Sequence, residues 1–137
     1  MEYISTRGNT DPMSFKDAVL TGLAPDGGLL VPATIPDVRA SLEHWRSLDY
    51  VDLAFEVLSQ FATDIEPAVL RDLVERSYRT FSHPEVTPVV RVGDLHVVEL
   101  FHGPILAFKD VALQLLGNLF DHVLEERDER LNILGAT

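Results

Sequence analysis

The sequence contains no cysteine. That absence excludes disulfides, thiolate nucleophiles and cysteine-ligated metals together, and it fits a reducing compartment. Basic residues are scarce: 11 Lys and Arg stand against 22 Asp and Glu, a formal net charge of −11. Such a balance opposes nucleic acid, whose binding needs cations along the phosphate backbone, and it opposes an anionic membrane surface. Its ordinary consequence is solubility. No apolar run approaches the ~20 residues of a membrane span. The opening MEYISTRGNTDP lacks the basic-then-apolar order of a secretory signal and the Arg/Ser richness of a transit peptide. Together these absences read as a cytoplasmic protein that binds neither nucleic acid nor membrane. His83 and His96 show no metal-ligand spacing, and no metal is expected.

What is present is ordinary for a globular domain. The chain has 137 residues, 46% hydrophobic and 24% charged, enough for one domain with a real core. Residues 2–6 read as a short strand. Ser14 and Asp17 have the Ser-x-x-acid form of a capping box, and a helix follows to about Leu23. Pro25 with Gly27-Gly28 marks a turn, and LLVP (29–32) a short strand. Leu42–Leu48 predicts a short helix carrying Trp45. Asp49 is placed to cap a helix whose apolar positions run Tyr50, Leu53, Ala54, Val57, Leu58 and Phe61. Pro67 suits a first helical position, and Leu70, Leu73, Val74, Ser77 and Tyr78 predict the buried face of the next helix. VVRVGDLHVVELF (89–101) reads as a hairpin turning at Gly93-Asp94. The strongest helical stripe comprises Phe108, Val111, Ala112, Leu115, Leu116, Leu119, Phe120, Val123 and Leu124. LNILGAT (131–137) then reads as a buried strand entering a loop. Helices flanking a strand apolar on both faces predict an α/β domain: helices on a small, partly parallel sheet, with a β-hairpin.

Lys109 is the anomaly. It opens the last helix, where the helix dipole already places partial positive charge. Gly103-Pro104 makes a tight turn just before it, which allows another backbone or a flat ligand to come close. Phe108 puts it one step from an apolar face. A helix N-terminus and an apolar enclosure both push a lysine toward its neutral amine. A neutral amine is a nucleophile that forms an imine with an aldehyde. A solvated surface lysine with its stem along the core is the alternative.

ELFHGPILAFKDVALQLLGNLF (99–120) resembles the lysine segment of the threonine synthase family, pyridoxal-phosphate enzymes of the tryptophan-synthase-β-like class. YISTRG (3–8), SFKDAVLTGLAPDGGLLVP (14–32) and the terminal ILGAT resemble that family in the same order. The resemblance implies the N-terminal domain of a fold type II enzyme. It further implies that Lys109 holds pyridoxal 5′-phosphate as an imine and then moves protons at the substrate carbons. The implied substrate is O-phospho-L-homoserine: phosphate leaves from the γ carbon, water adds at the β carbon, and threonine is released. Phe108 is either core or a ring stacked on cofactor. Asp110 is either a favourable helix-start charge or a cofactor contact. His102 either donates toward substrate or is a loop histidine satisfied by backbone. Arg7 either meets an anion or forms a structural ion pair.

Two departures qualify the resemblance. Ile105 stands where the family motif usually has threonine, which removes a hydroxyl beside the lysine turn and motivates an alternative, a related lyase or dehydratase releasing a 2-oxo acid. The family's cofactor-phosphate loop and second domain would lie past Thr137. Residues 1–137 are therefore expected to be a single truncated N-terminal domain, inactive alone. A non-catalytic domain or broken gene product is the other alternative. Surface left by the missing domain favours self-association.

Overall fold

Local capping chemistry sets the helices. In the computed structural model, which describes residues 1–134, Ser14 and Asp17 cap α1 (Phe15–Thr21) reciprocally. The Asp17 amide donates to Ser14 Oγ (3.2 Å), and Ser14 Oγ donates to Asp17 Oδ2 (2.7 Å). Leu42–Trp45 forms the short α2, with Trp45 buried. Asp49 caps α3 (Tyr50–Ser59) through the Asp52 amide at 2.8 Å. Glu66 caps α4 (Pro67–Tyr78) through the Val69 amide at 3.1 Å, with Pro67 in the first turn. Each such cap contributes ~1 kcal/mol. The last helix, α5, runs Asp110–Arg127 and closes without glycine: Asp128 takes left-handed backbone (φ 53°, ψ 38°) and its amide turns back to the carbonyls of Leu124 and Glu125. Aspartate tolerates that conformation better than most side chains.

The strands form two separate pairs. β1 (Tyr3–Ser5) pairs with β2 (Leu30–Pro32), Tyr3 opposite Pro32 and Ser5 opposite Leu30. β3 (Val89–Val92) pairs with β4 (Leu95–Val98) across the Gly93-Asp94 turn. Both pairs are antiparallel. The α/β reading and the hairpin therefore stand, but the partly parallel sheet is corrected: among the described residues no parallel pair forms. Its premise was a buried strand at 131–134. Those residues are exposed and irregular, with Ile133 80% and Leu134 99% exposed. Gly135–Thr137, the expected loop, lie outside the described residues.

The core lies between α3, α4 and α5. Leu70, Leu73, Val74 and Tyr78 of α4 meet Leu115 and Leu119 of α5, with Phe55 and Leu58 of α3 and Phe15 and Val19 of α1 packed around them. The buried α4 residues are the five that the periodicity predicts. On α5 the buried apolar set narrows to Leu115, Leu119 and Val123. Phe108 is corrected: it precedes the helix and is 65% exposed, so it is not core. Two ion pairs, Lys16–Glu126 (2.7 Å) and Asp17–Arg127 (2.6 Å), tie the start of α1 to the end of α5.

Leu73 is fully buried at the α4–α5 contact. Leu73→Ala should lower unfolding free energy by about 3 kcal/mol. Ile35→Ala, at an 80% exposed loop position, should change it by less than ~0.5 kcal/mol. Urea titration followed by circular dichroism measures both.

Candidate active site

The segment 101–110 leaves the hairpin and delivers the chain to α5. Gly103 and Asp110 are buried, whereas Pro104, Ile105, Leu106, Phe108 and Lys109 are exposed. The segment is thus a turn with a buried hinge and an apolar outer rim. Leu106 takes φ 57°, left-handed backbone that leucine rarely adopts. Its amide donates to the Gly103 carbonyl (3.1 Å), and the Asp110 amide donates to the Ala107 carbonyl (3.0 Å).

Lys109 is the N-cap of α5. Its backbone is already helical (φ −65°, ψ −22°), and its side chain makes no capping bond. Its carbonyl accepts the Leu113 amide at 2.8 Å and the Ala112 amide at 3.1 Å. The main chain of Lys109 is therefore locked into the helix. Its side chain is exposed, and among the described residues no carboxylate pairs with its amine. The chain has one other lysine, Lys16, which donates to both oxygens of Glu126 at 2.9 and 2.7 Å. Of the two, Lys109 has the amine without a carboxylate partner among the described residues.

Asp110 stands behind the turn. It is fully buried. Its Oδ2 accepts the Ile105 amide (2.9 Å), and its Oδ1 accepts Gln114 Nε2 (3.0 Å). Both carboxylate oxygens face protein donors on the inner side of the turn. The carboxylate does sit in the first turn of α5, where the helix dipole favours it. Gly103 packs directly on it, and a Cβ there would overlap the aspartate side chain.

His102 lies at the entrance of the turn. Its Nε2 is 2.7 Å from Glu99 Oε2. A carboxylate only accepts, so Nε2 carries the proton. The His102 carbonyl accepts the Ser82 amide (2.9 Å) and hydroxyl (3.2 Å). The histidine is thus satisfied, with a carboxylate as its ring partner where backbone was expected. Arg7 belongs to another cluster. It donates from Nη1 to the Asp26 carbonyl at 3.0 Å, a neutral acceptor in place of the expected ion pair.

Sequence reasoning missed the centre of that cluster, Asp26. Its Oδ1 accepts from Ser5 Oγ (2.7 Å) and the Gly28 amide (2.9 Å), and its Oδ2 from the Asn9 amide (3.0 Å). Gly28 must lack a side chain, because a Cβ would collide with Ser5 Oγ. The APDGG string signals the turn but not the convergence of donors. Sequence reasoning also missed Gln114 and the hydrogen bond of Tyr78, which lie on the helix pair supporting Lys109. Tyr78 Oη donates to the Val111 carbonyl in the first turn of α5 (3.1 Å), and burial pushes its phenol well above the usual range. A cleft of about 440 Å³ lined by Asp72, Arg76, Arg79 and His83 contains none of residues 103–110. Lys109 stands on an open, exposed surface with exposed apolar residues before it in the chain.

Ile105, Leu106 and Phe108, close to Lys109 in the chain, are exposed apolar side chains. Among the described residues no cluster of His, Asp and Glu could hold a metal, and no helix is long and apolar enough to cross a membrane. These features define an α/β domain with antiparallel strand pairs and an exposed lysine at the head of its last helix. The comparisons specify it. Residues 2–78 match the family "Threonine synthase N terminus". The chain is 46% identical to threonine synthase of Schizosaccharomyces pombe, covering all of this chain and 29% of that protein. It is 50% identical to threonine synthase of Pseudomonas aeruginosa, covering all of this chain and 30% of that protein. The crystal structure of PLP-bound threonine synthase from Brucella melitensis superposes with a TM-score of 0.91 at 44% identity, over 95% of this chain and 29% of that one. The chain belongs to the threonine synthase family, and it spans about 30% of the length of these relatives.

The Asp26 cluster yields a prediction. Its donors, Ser5 foremost, hold the Asp26 carboxyl at about 2 against an ordinary 3.8. A carboxyl depressed by folding stabilises the fold above its unfolded value, and that contribution fades as pH falls from 3.8 through about 2. Carbon-detected NMR should find the Asp26 carboxyl titrating near 2, and Ser5→Ala should move the midpoint toward 3.8.

Proposed function

We propose that this chain supplies the cofactor lysine of a pyridoxal-phosphate-dependent threonine synthase. The enzyme would convert O-phospho-L-homoserine and water to L-threonine and phosphate. The observation that carries this reading is Lys109: an exposed amine with no carboxylate partner among the described residues, on a fixed helix start, in a family whose Brucella melitensis member was crystallised with PLP.

When bound, the cofactor supplies the electron sink for the reaction. The rest is the protein's part. Lys109 would hold the cofactor covalently through Nζ. The same Nζ, once free, would take and return protons at the substrate carbons, as a positioned general base and acid. The helical backbone of Lys109 keeps that amine in register, because its carbonyl is held by two amides of the first turn. Phe108, Ile105 and Leu106 offer apolar surface against which a flat ring is desolvated. His102 and Arg7 are engaged by Glu99 and by the Asp26 carbonyl, so substrate phosphate is assigned to groups in the part of the relatives that this chain does not span. Ile105 is 62% exposed beside the lysine turn and brings no hydroxyl. It favours, as a second reading, a lyase that releases a 2-oxo acid from the same cofactor.

In the intact gene product, borohydride reduction should fix the cofactor to Lys109, and Lys109→Ala should abolish the absorbance of lysine-bound cofactor. Label on Lys16 would overturn the assignment. Product analysis with phosphohomoserine separates threonine from a 2-oxo acid.

The 137 residues alone should show no threonine formation. They should also scatter light as dimers or larger species, because Val89, Leu95, Phe101, Leu106 and Phe108 are each more than half exposed. A clean monomer at high concentration would contradict the second expectation.

A further inference from the structure

We propose that Asp110 is a positioning residue: its buried carboxylate, anchored by Gln114 and seated against Gly103, grips the Ile105 amide and so fixes the turn that sets Lys109 at the head of α5. The inference deepens the reading of Lys109 given above and rests on it for its catalytic consequence; the clamp itself stands on geometry alone.

A fully buried carboxylate is costly unless its oxygens are satisfied. Asp110 is 0% exposed, and each oxygen has a donor, the Ile105 amide at 2.9 Å and Gln114 Nε2 at 3.0 Å. Gln114 is held in turn. Its main-chain carbonyl accepts Asn118 Nδ2 at 3.1 Å, and the same Nδ2 donates to Ser77 Oγ at 2.8 Å. Ser77 is 1% exposed and donates to the Leu73 carbonyl of α4 at 2.6 Å. A line of polar contacts thus runs from the α4–α5 core out to the turn.

The turn needs such a hold. Leu106 has left-handed backbone and a side chain 71% exposed, so packing does not compensate its strain. Such conformations persist only where the surroundings over-determine them. The Asp110–Ile105 bond sits one residue before Leu106, and Gly103 lets the turn close onto the carboxylate. The result is a fixed base under a free amine, the arrangement that a covalent carrier doubling as a proton shuttle requires.

The test compares Asp110→Ala, Asp110→Asn and Gln114→Ala in the intact gene product. Without cofactor, hydrogen exchange at the Ile105 amide should quicken about tenfold in Asp110→Ala and about threefold in Gln114→Ala, relative to the Leu119 amide. Asparagine keeps a carbonyl acceptor, so Asp110→Asn should stay within about threefold of wild type. With cofactor bound, Asp110→Ala should lower kcat by about tenfold or more with little change in KM. Asp110→Asn should restore most of kcat and leave the pH profile of the lysine-bound cofactor's absorbance unchanged.

Unchanged Ile105 exchange in Asp110→Ala overturns the clamp. If that variant does not fold, unchanged exchange in Gln114→Ala overturns it equally. Wild-type exchange in Asp110→Asn together with a shifted absorbance profile would place the charge in contact with cofactor and overturn the positioning role. Borohydride label on another lysine would sink the Lys109 reading alone, leaving the exchange result to decide the clamp.

Discussion

The packing of α5 on α4 is the constraint from which the rest follows. Leu115 and Leu119 sit among Leu70, Leu73 and Val74, and burying side chains of this size stabilises by ~1.5–3 kcal/mol each. That burial fixes the rotation of α5 about its axis. Once the rotation is fixed, Asp110 must point inward and Lys109, one residue earlier, must point away from the core. A step of one residue turns about 100° around a helix, so burial of the aspartate and exposure of the lysine share one cause. The phenol of Tyr78 on the Val111 carbonyl and the amide of Asn118 on Ser77 hold the same two helices in the same register. Ion pairs at the far end of α5 add less, since partly exposed pairs contribute ~1 kcal/mol or below.

The parts legible in the sequence are those set by local chemistry or a single periodicity. Ser14, Asp49 and Pro67 mark their helix starts because capping is a short-range rule of residue type. The α4 face was readable because Leu70, Leu73, Val74, Ser77 and Tyr78 fall on one side of a 3.6-residue repeat. The parts not legible depend on what covers a surface. LNIL reads as a buried strand and lies exposed, because an apolar pattern shows that a surface wants cover and not that cover is present. Phe108 failed for a related reason: it has the spacing of the α5 stripe, but the left-handed turn at Leu106 and the helix start at Asp110 remove it from the helix. The parallel sheet was inferred from that same strand and falls with it.

The candidate site divides along the same line. Lys109 could be singled out because a cation at a helix N-terminus conflicts with the dipole, and a conflict is visible without coordinates. Asp110 could not be separated from an ordinary helix-start acid, because an acid is favoured there whichever way it points. Gln114 carried no signal, since a glutamine one turn along is unremarkable on any helix. Arg7 and His102 were visible as residue types, but Asp26 and Glu99 reach them only through loop geometry.

The distribution of exposed apolar side chains follows from the same geometry. β3 and β4 pair with one another and leave Val89, Val92, Leu95 and Val98 more than half exposed, on the element that leads into the lysine turn. A two-stranded hairpin gains little stability by itself. The ledge bearing Lys109 and the hairpin beside it in sequence therefore share a need: both present apolar atoms that water solvates poorly. A flat ring laid against Ile105, Leu106 and Phe108 would meet part of it, and further protein surface over the hairpin the rest. The position of the Lys109 backbone is set by the α4–α5 core together with the hold of Asp110 on the turn.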